Sequence, residues 1–465
     1  MHPHSRRGRK PTRNATLDTP RSRPPRSGRA GDEVFGFGAA LAQMLGGRPA
    51  ADALRRGRGR PPRVPLTALL EALVFHVMHR FGTLGEHFAL LHEDALGDSG
   101  CSERRQLLPW QVFDGLMQRA LRPLAQTRRH KECFWRGWRL VAVDGIQFSL
   151  YNTPQKNAKL RKAKSRRGRA AFAKIVTSVL LEVGLHNPLA AAIGHDGRSE
   201  WELTRSLLAQ LPKGALLLAD RLQGCAAFAT QVLAACQRVG SHFLIRARSN
   251  IKVRTLQRLK DGSRLVEVPV RAKGSRTILE HLTLREIRVK VRRPGHRTQE
   301  LRLWTTLLDP VAAPALELVA LYAQRWEHEL YYREVKRVLR KDELLNSHTV
   351  ETAAQEIAAL VLASALIARE RMRAAAGEGP VLRISFAKTL ELLRPLWLVF
   401  ALGDDLLTED QKRQLTERFY EQARRCATPP KRARSCPRAV RQPVSKWPRL
   451  VKNESYEGPV RFHLI

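Results

Sequence analysis

Four side chains within residues 322–336 have types and a spacing that suit phosphate chemistry. They are Tyr322, Arg325, Glu329 and Lys336. Because an α-helix turns about 100° per residue, an ideal helix would hold this phenol, guanidinium, carboxylate and ammonium in one narrow stripe. A carboxylate among cations and hydrogen-bond donors suits a site that binds a metal ion and phosphates together. A solvated, salt-bridged helix surface explains the same pattern, so this stretch alone leaves both interpretations open.

Two aspartates upstream can complete such a site. Asp144 lies inside a β-rich run, residues 138–151, so we expect it to project from a strand in the middle of a sheet. Asp220 ends the short apolar run 215–220, and the carboxyl end of a buried strand is the usual place for function in α/β proteins. A hairpin turn at Asp144 and Gly145, and a helix N-cap at Asp220, are the structural alternatives.

Three carboxylates in one place need a compensating cation. At neutral pH, Asp144, Asp220 and Glu329 would otherwise repel one another. Ligation by oxygen atoms alone favours Mg²⁺ or Mn²⁺ over zinc. Two such ions, about 3.5–4 Å apart, can activate a water molecule and stabilise the leaving oxygen of a phosphodiester. We therefore expect two ions, Mg²⁺ or Mn²⁺, at this site.

Strand and helix patterns indicate how these acids are positioned. Residues 66–78 are apolar at a helical period, and strand patterns surround both aspartates. Residues 250–308 largely alternate polar and apolar side chains, which predicts a β insertion before a long helix over 316–340. The fold class is therefore α/β, with a β-rich insertion in its catalytic core, an all-α N-terminal domain and a helical C-terminal region.

The length of 465 residues favours several domains. The predicted segments are a disordered basic arm (1–32), a helical N-terminal DNA-binding domain (33–135), a catalytic core (136–249 and 309–345), a β-strand insertion (250–308), a helical C-terminal region (346–420) and a basic tail (421–465).

The charge of the chain favours a nucleic-acid partner. The formal net charge is +39, and such an excess favours binding to a polyanion. Residues 156–169 carry eight basic side chains and no acid, which predicts a mobile cationic loop beside Asp144, or else an ordinary exposed hairpin loop. The residues of this loop that we expect to contact DNA are Lys162, Lys164, Arg166 and Arg167. An Arg-Gly-Arg-Pro sequence within 56–63 either enters a narrow minor groove or is a basic linker.

Other features of the sequence exclude several classes of protein. The longest apolar run, residues 357–368, is too short to cross a bilayer, and the N-terminus lacks the apolar segment of a secretory signal. Six scattered cysteines with no Cys-x-x-Cys pair support neither a zinc site nor a disulfide framework. We therefore expect a cytoplasmic, nucleoid-associated protein with free thiols and no membrane partner.

The chain closely resembles the DDE transposases of the insertion-sequence-four family. The hallmark of that family is Tyr, two residues, Arg, three residues, Glu, six residues and Lys, and residues 322–336 match every spacing. Residues 141–145 with 152–154 resemble the first-Asp block, and 218–221 resemble the second. Leu222 departs from the family, in which a glycine commonly follows the arginine. A β insertion before the glutamate is also a family feature.

The resemblance implies an RNase H-like catalytic core and a role for each residue of the site. Asp144, Asp220 and Glu329 would ligate the metal pair. The residues implied to contact DNA on the helix are Tyr322, Arg325, Arg333 and Lys336. Trp304 is the candidate for stacking a flipped base, or else a core residue of a strand, and Trp326 is expected to pack the helix against the sheet.

The function implied by the resemblance is transposition of a bacterial insertion sequence. A homodimer would bind the terminal inverted repeats, cut them through a hairpin intermediate and transfer the strands to target DNA. No ATP is needed, because each step hydrolyses a phosphodiester or exchanges it for another. The alternatives are an RNase H-like nuclease without strand transfer and an inactive or domesticated DNA-binding derivative.

Overall fold

A computed structural model describes most of the chain after residue 65. The described residues are 66–79, 81–92, 96–108, 110–153, 159–160, 162, 164–165, 168–272, 274–292, 298–340, 344–377, 379–403, 405–429, 434–435, 456–457 and 461–464. The predicted basic arm 1–32, the Arg-Gly-Arg-Pro segment 56–63, and Arg166 and Arg167 of the cationic loop lie outside them.

The described secondary structure consists of strands, α-helices and short segments of other helix types. The strands are β1 (Phe134–Trp135), β2 (Trp138–Ser149), β3 (Lys164–Ser165), β4 (Gly168–Arg169), β5 (Lys174–Glu182), β6 (Asn187–Ile193), β7 (Ala215–Ala219), β8 (His242–Arg246), β9 (Arg254–Arg258), β10 (Arg264–Arg271), β11 (Ile278–Arg292), β12 (Gln299–Thr305), β13 (Arg434–Ser435), β14 (Tyr456–Glu457) and β15 (Arg461–Leu464). The α-helices are α1 (Leu66–Met78), α2 (Leu84–Leu91), α3 (Asp98–Leu107), α4 (Trp110–Ala120), α5 (Glu200–Leu207), α6 (Ala226–Arg238), α7 (Ala315–Tyr322), α8 (Trp326–Arg333), α9 (Val350–Ala375), α10 (Phe386–Leu402) and α11 (Glu409–Arg425).

A mixed sheet forms the centre of the molecule. Five of its strands follow the order β6-β5-β2-β7-β8. β5 is antiparallel to both of its neighbours, whereas β2, β7 and β8 run parallel to one another. This order places β2, which carries Asp144, in the middle of the five strands.

Alternate residues of the central strands pack on opposite faces of the sheet. On β2, Val143 joins the apolar cluster that includes α6, and Ala142 joins the cluster that includes α7. On β7, Leu217 and Leu218 divide in the same way. Because both faces are covered, these strands are apolar at nearly every position.

The predicted β insertion 250–308 extends this sheet. β12 pairs antiparallel with β8, and β11, β10 and β9 follow in that order. The predicted basic tail also contributes, because β15 pairs with β11 and its Phe462 and Leu464 pack against the apolar cluster of α7. In addition, α11 continues beyond residue 420 to Arg425. The prediction that residues 421–465 form only a tail is therefore wrong at both of these places.

Helix α9 connects the catalytic sheet to the other helices. The side chain of Thr349 caps its N-terminus, and it packs against α1, β6, α10 and α11. It is long and apolar enough to cross a membrane, but 94% of its most apolar window is buried within the protein. It therefore has the environment of a core helix.

Candidate active site

The two aspartates lie side by side on neighbouring parallel strands. β2 and β7 pair with Val143 opposite Ala219, so Asp144 and Asp220 are the next residues of the two strands. Paired strands are about 4.8 Å apart, which brings both carboxylates to one point at the end of β7. Asp144 lies within a strand rather than in a hairpin turn. Cys225, not Asp220, is the N-cap of α6, so neither structural alternative applies.

Arg325 links the helix glutamate to the first aspartate. Its guanidinium lies 3.0 Å from Asp144 Oδ2 and 2.9 Å from Glu329 Oε1. Its side chain is only 11% exposed, and partial burial strengthens charge-assisted hydrogen bonds. Burial by itself lowers the pKa of Arg325, but the groups around it, Tyr322 and Asp220 foremost, raise the pKa overall. One cation therefore holds two of the three predicted catalytic acids.

The predicted helix over 316–340 changes its winding along its length. A 3₁₀ turn, Ala323–Arg325, follows α7, and a π-helical segment, Glu334–Leu339, follows α8. Because the winding changes, Tyr322 and Lys336 are not held in the single narrow stripe that an ideal α-helix would give. Tyr322 is buried, and its hydroxyl donates to the carbonyl oxygen of Ala219 at 3.1 Å. The prediction that Tyr322 contacts DNA is therefore wrong, and its hydroxyl instead ties the helix to the residue before Asp220.

The inner side of α8 is bonded to the sheet and to α9. Tyr332 donates its hydroxyl hydrogen to the carbonyl oxygen of Asp144 at 2.5 Å. A ring nitrogen of His328 lies 2.9 Å from the carbonyl oxygen of Val179 on β5. The Tyr331 hydroxyl meets the Ser364 hydroxyl of α9 at 3.0 Å. These contacts fix the position and rotation of the helix that carries Glu329.

His186, in the turn between β5 and β6, binds two further acids of this helical segment. Its Nδ1 lies 2.7 Å from Glu334 and its Nε2 lies 3.1 Å from Glu327. A neutral imidazole has a single N–H, so two hydrogen bonds to carboxylates require the imidazolium form. Burial lowers the pKa of His186, but the charge of Glu334 and hydrogen bonds to both acids raise it overall. The residue also has φ +53°, a conformation that is rare for a side chain of this size.

Trp304 and Trp326 differ in exposure. Trp304 is fully buried on β12, and its Nε1 donates to Glu286 at 3.0 Å. The prediction that it stacks on a DNA base is therefore wrong, and the core alternative applies. Trp326 is 55% exposed, so the prediction that it packs the helix against the sheet is also wrong.

Four further residues that were predicted to contact DNA lie within the described part of the chain. Arg333 is exposed and Lys336, within the π-helical segment, is half-buried. Lys162 donates to the carbonyl oxygen of Ala171 at 3.1 Å. Lys164 lies in β3, which forms a short hairpin with β4.

Comparison with known proteins gives this site a family. A family model described as "Transposase DDE domain" matches residues 135–366. The match runs from β1 into α9 and includes Asp144, Asp220 and Glu329. This chain belongs to the DDE transposases.

Individual similarities refine that assignment. Transposase InsG for insertion sequence element IS4 of Escherichia coli (strain K12) is 25% identical over 327 residues, covering 68% of this chain and 71% of the relative. The chain is thus a transposase of the IS4 type, a metal-dependent enzyme that cleaves and transfers DNA. A cryo-EM structure of the piggyBac transposase synaptic complex with hairpin DNA covers 86% of this chain and is itself covered to 87%, with 9% identity and a TM-score of 0.41. At that TM-score the likeness carries no conclusion about the fold.

The transposase offers suitable donor atoms for a divalent cation. Its candidate ligands are carboxylate oxygens, which Mg²⁺ and Mn²⁺ prefer. The buried Oε1 of Gln223 nearby has no hydrogen-bond partner among the described residues. Within that same part of the chain, no three acidic, histidine or cysteine side chains converge at metal-binding distance. Because Arg325 holds Asp144 and Glu329, the donor set fits a cation once this arginine releases the carboxylates.

Sequence reasoning missed several residues of the transposase site. They are His186, Glu200, Gln223, His328 and Tyr332. An acid in the first turn of a helix, such as Glu200 in α5, is explained by the helix dipole alone. No spacing rule connects His186 to a helix more than a hundred residues away. Only His328 and Tyr332 carried a signal, since they lie one helical turn apart.

A strongly basic cleft opens beside the acids of the transposase. It has a volume of about 730 Å³. Its charged lining residues are Arg221, Arg246, Lys252, Arg264, Arg288, Arg302 and Glu300. One of these lining residues, Arg221, directly follows Asp220 in the sequence. Sequence reasoning emphasised the loop 156–169 and overlooked this cleft, because its cations come from four separate strands and two loops.

Proposed function

We propose that this transposase moves a bacterial insertion sequence by cut and paste. In this proposal it binds the terminal inverted repeats, cleaves the ends of the element and joins them to target DNA. The observation that carries the proposal is the position of Asp144 and Asp220 at neighbouring points of two parallel strands, with Glu329 linked to Asp144 through Arg325. The name of the Escherichia coli relative, which assigns that protein to an insertion sequence element, supports the same function.

The proposal includes an RNase H-like catalytic core. It is supported by five strands in the order β6-β5-β2-β7-β8, with α6 and α7 covering opposite faces. The two aspartates come from neighbouring strands, although more than seventy residues of sequence separate Asp144 from Asp220. Ligand sites at the carboxyl ends of such strands are the general rule in α/β folds.

Asp144, Asp220 and Glu329 are the proposed ligands of the catalytic cation. A divalent ion pair in this position would supply an activated water or hydroxyl and stabilise the leaving oxygen. Other residues of the chain position these ligands. Tyr322 bonds the carbonyl group before Asp220, and Tyr332 bonds the carbonyl group of Asp144, so the backbone at each aspartate is held in place.

Arg325 is proposed to exchange partners during the reaction. Without DNA it neutralises Asp144 and Glu329. If Asp144 and Glu329 held a cation, Arg325 would no longer be needed to neutralise them, and its guanidinium would be free to bond a phosphate oxygen in a bidentate manner. The positive charge therefore stays at the site throughout.

The basic cleft is proposed to hold the DNA strand next to the cut. Three of its cations are paired, because Arg264 and Arg302 contact Glu286, and Arg288 contacts Glu300. Neutralisation of phosphates then falls to the other three, for which the described ranges contain no ion pair. They are Arg221, Arg246 and Lys252.

The finer steps of the proposal follow the chemistry of phosphodiesters. The 3′-hydroxyl freed by the first cut attacks the opposite strand and closes a hairpin, which a second hydrolysis opens before strand transfer. No ATP is consumed, since each step exchanges or hydrolyses one phosphodiester. A homodimer in the synaptic complex would hold the two ends together, and the reaction would take place on the bacterial nucleoid in the cytoplasm.

Incubation of the purified protein with Mg²⁺ and linear DNA carrying the ends that flank its reading frame tests the proposal. Hairpin-ended products are expected in wild type and none in Asp144→Asn. Nicked DNA without hairpins would overturn the hairpin step. Binding without any cleavage would instead identify a DNA-binding derivative. Pre-cut ends offered with target DNA separate a transposase from a nuclease, because only the transposase joins them.

A further inference from the structure

A fourth carboxylate lies beside the two aspartates. Glu200 is the first residue of α5, which follows β6 in the chain. A Cβ added to Gly145 would lie 2.2 Å from Cδ of Glu200 and 2.5 Å from its Oε2. The carboxyl group of Glu200 thus fills the space that a side chain at position 145 would need, immediately next to Asp144.

Gly145 lies next to both Asp144 and Glu200. Its N–H donates to Asp144 Oδ1 at 2.9 Å, and the carboxyl group of Glu200 occupies the space beside its α-carbon. Burial, followed by the negative charges of Asp144 and Asp220, raises the pKa of Glu200. The charges of both aspartates therefore act on the carboxyl group of Glu200.

Gln223 supplies an independent sign of a ligand at this place. Its side chain is fully buried, and its amide nitrogen points to Glu200 Oε1 at 3.5 Å. The other amide atom, Oε1, has no hydrogen-bond partner in the part of the chain that the structure describes. A buried oxygen without a donor is costly, and amide oxygens are ligands of hard cations.

We propose that Glu200 holds the divalent cation together with Asp144 and Asp220, and that Gln223 orients its carboxylate. This inference rests on the proposed metal chemistry and adds an acid to the three implied by the family resemblance. Glu329 is linked to Asp144 through Arg325, whereas Glu200 packs against Gly145, the residue after Asp144. The two glutamates therefore approach the aspartates through different contacts.

Binding of Mn²⁺ to the full chain, followed by the electron paramagnetic resonance signal of the free ion, tests the inference without any need for turnover. Glu200→Gln keeps the size of the side chain and one acceptor oxygen for Gln223 but removes its charge. We expect it to weaken Mn²⁺ binding about tenfold or more. Gly145→Ala should weaken binding in the same direction, because its new methyl group displaces the Glu200 carboxyl. Glu280→Gln is the matched control, since Glu280 is an exposed acid of β11, and it should bind like wild type.

The outcomes separate this inference from the proposed function. If Asp144→Asn loses Mn²⁺ binding while Glu200→Gln and Gly145→Ala keep the affinity of wild type, Glu200 is no ligand and only this inference fails. If wild type itself binds no Mn²⁺, the metal chemistry of the proposed function fails as well. Thermal unfolding of each variant shows whether it is folded. If Glu200→Gln does not fold, Gly145→Ala still tests the inference.

Discussion

The two sides of α8 are held in opposite ways. On the inner side, His328 and Tyr332 bond to the backbones of β5 and β2; His328 is fully buried and Tyr332 is partly buried. On the outer side, Trp326 is 55% exposed, and the Glu329 side chain is 37% exposed. The two sides of this helix therefore have different functions. Contacts on the inner side fix the helix, so the outer side can remain open to DNA and still present Glu329 at a defined place.

The largest expected effect comes from Asp144, which contacts both Tyr332 on the inner side of α8 and Arg325. Asp144→Asn keeps the backbone carbonyl that accepts from Tyr332 but removes the charge that Arg325 holds. Cleavage of DNA ends should fall on the order of 10³-fold, because the lost charge acts directly on the reacting groups. A nicking assay on end-labelled DNA measures this, with a gel-shift assay to show that binding persists. Robust cutting by the variant would refute the assignment of Asp144.

Alanine substitutions on the two sides of α8 should differ strongly in stability. His328→Ala removes a fully buried ring and its contact with Val179, and should lower the free energy of unfolding by about 3 kcal/mol. Trp326→Ala removes a largely exposed ring and should change it by less than about 0.5 kcal/mol. Urea denaturation of both variants makes the comparison. Equal losses would contradict the division between a fixed and an open side.

The ion pairs of His186 with Glu327 and Glu334 should make the stability of the folded state depend on pH. The pKa of His186 is raised above the ordinary value of about 6.5 by Glu334 and Glu327, despite burial. The imidazolium therefore stabilises the folded state fully below the unfolded pKa, and this contribution is lost as pH rises through the folded pKa. Thermal unfolding measured from pH 6 to pH 9 should show wild type losing its advantage over His186→Gln. A difference between the two proteins that stays constant with pH would show that the ring is not charged.

The smallest expected effect is on DNA binding by the basic cleft, which is proposed to hold the DNA strand next to the cut. Lys252→Ala should weaken non-specific DNA binding and reduce the slope of log affinity against log salt by about 0.9, the value for one phosphate contact. Arg288→Ala is the control, because Arg288 is paired with Glu300, and it should change the slope less. Fluorescence anisotropy at several salt concentrations gives both slopes. A larger change for Arg288→Ala would place the DNA elsewhere.

Sequence patterns located the parts of the site but not the contacts among them. Apolar runs located the strands that carry Asp144 and Asp220, since buried strands are uniformly apolar. The burial of Tyr322 could not be read from its spacing, because it depends on a carbonyl group of β7 and on a 3₁₀ turn in the helix. The proximity of Glu200 to Asp144 likewise depends on how α5 returns to the sheet. Such long-range contacts leave no periodic trace in the sequence.

Helix α9 joins regions that the sequence divides into separate segments. It packs at once against α1 and α4, against β6, and against α10 and α11. Nearly all of its side chains are buried in these contacts, so neither the N-terminal helices nor the C-terminal helices can detach without exposing its apolar surface. Elements that share one core tend to unfold as a single cooperative unit. The helices on either side of the catalytic segment are thus expected to melt together with the sheet in one transition.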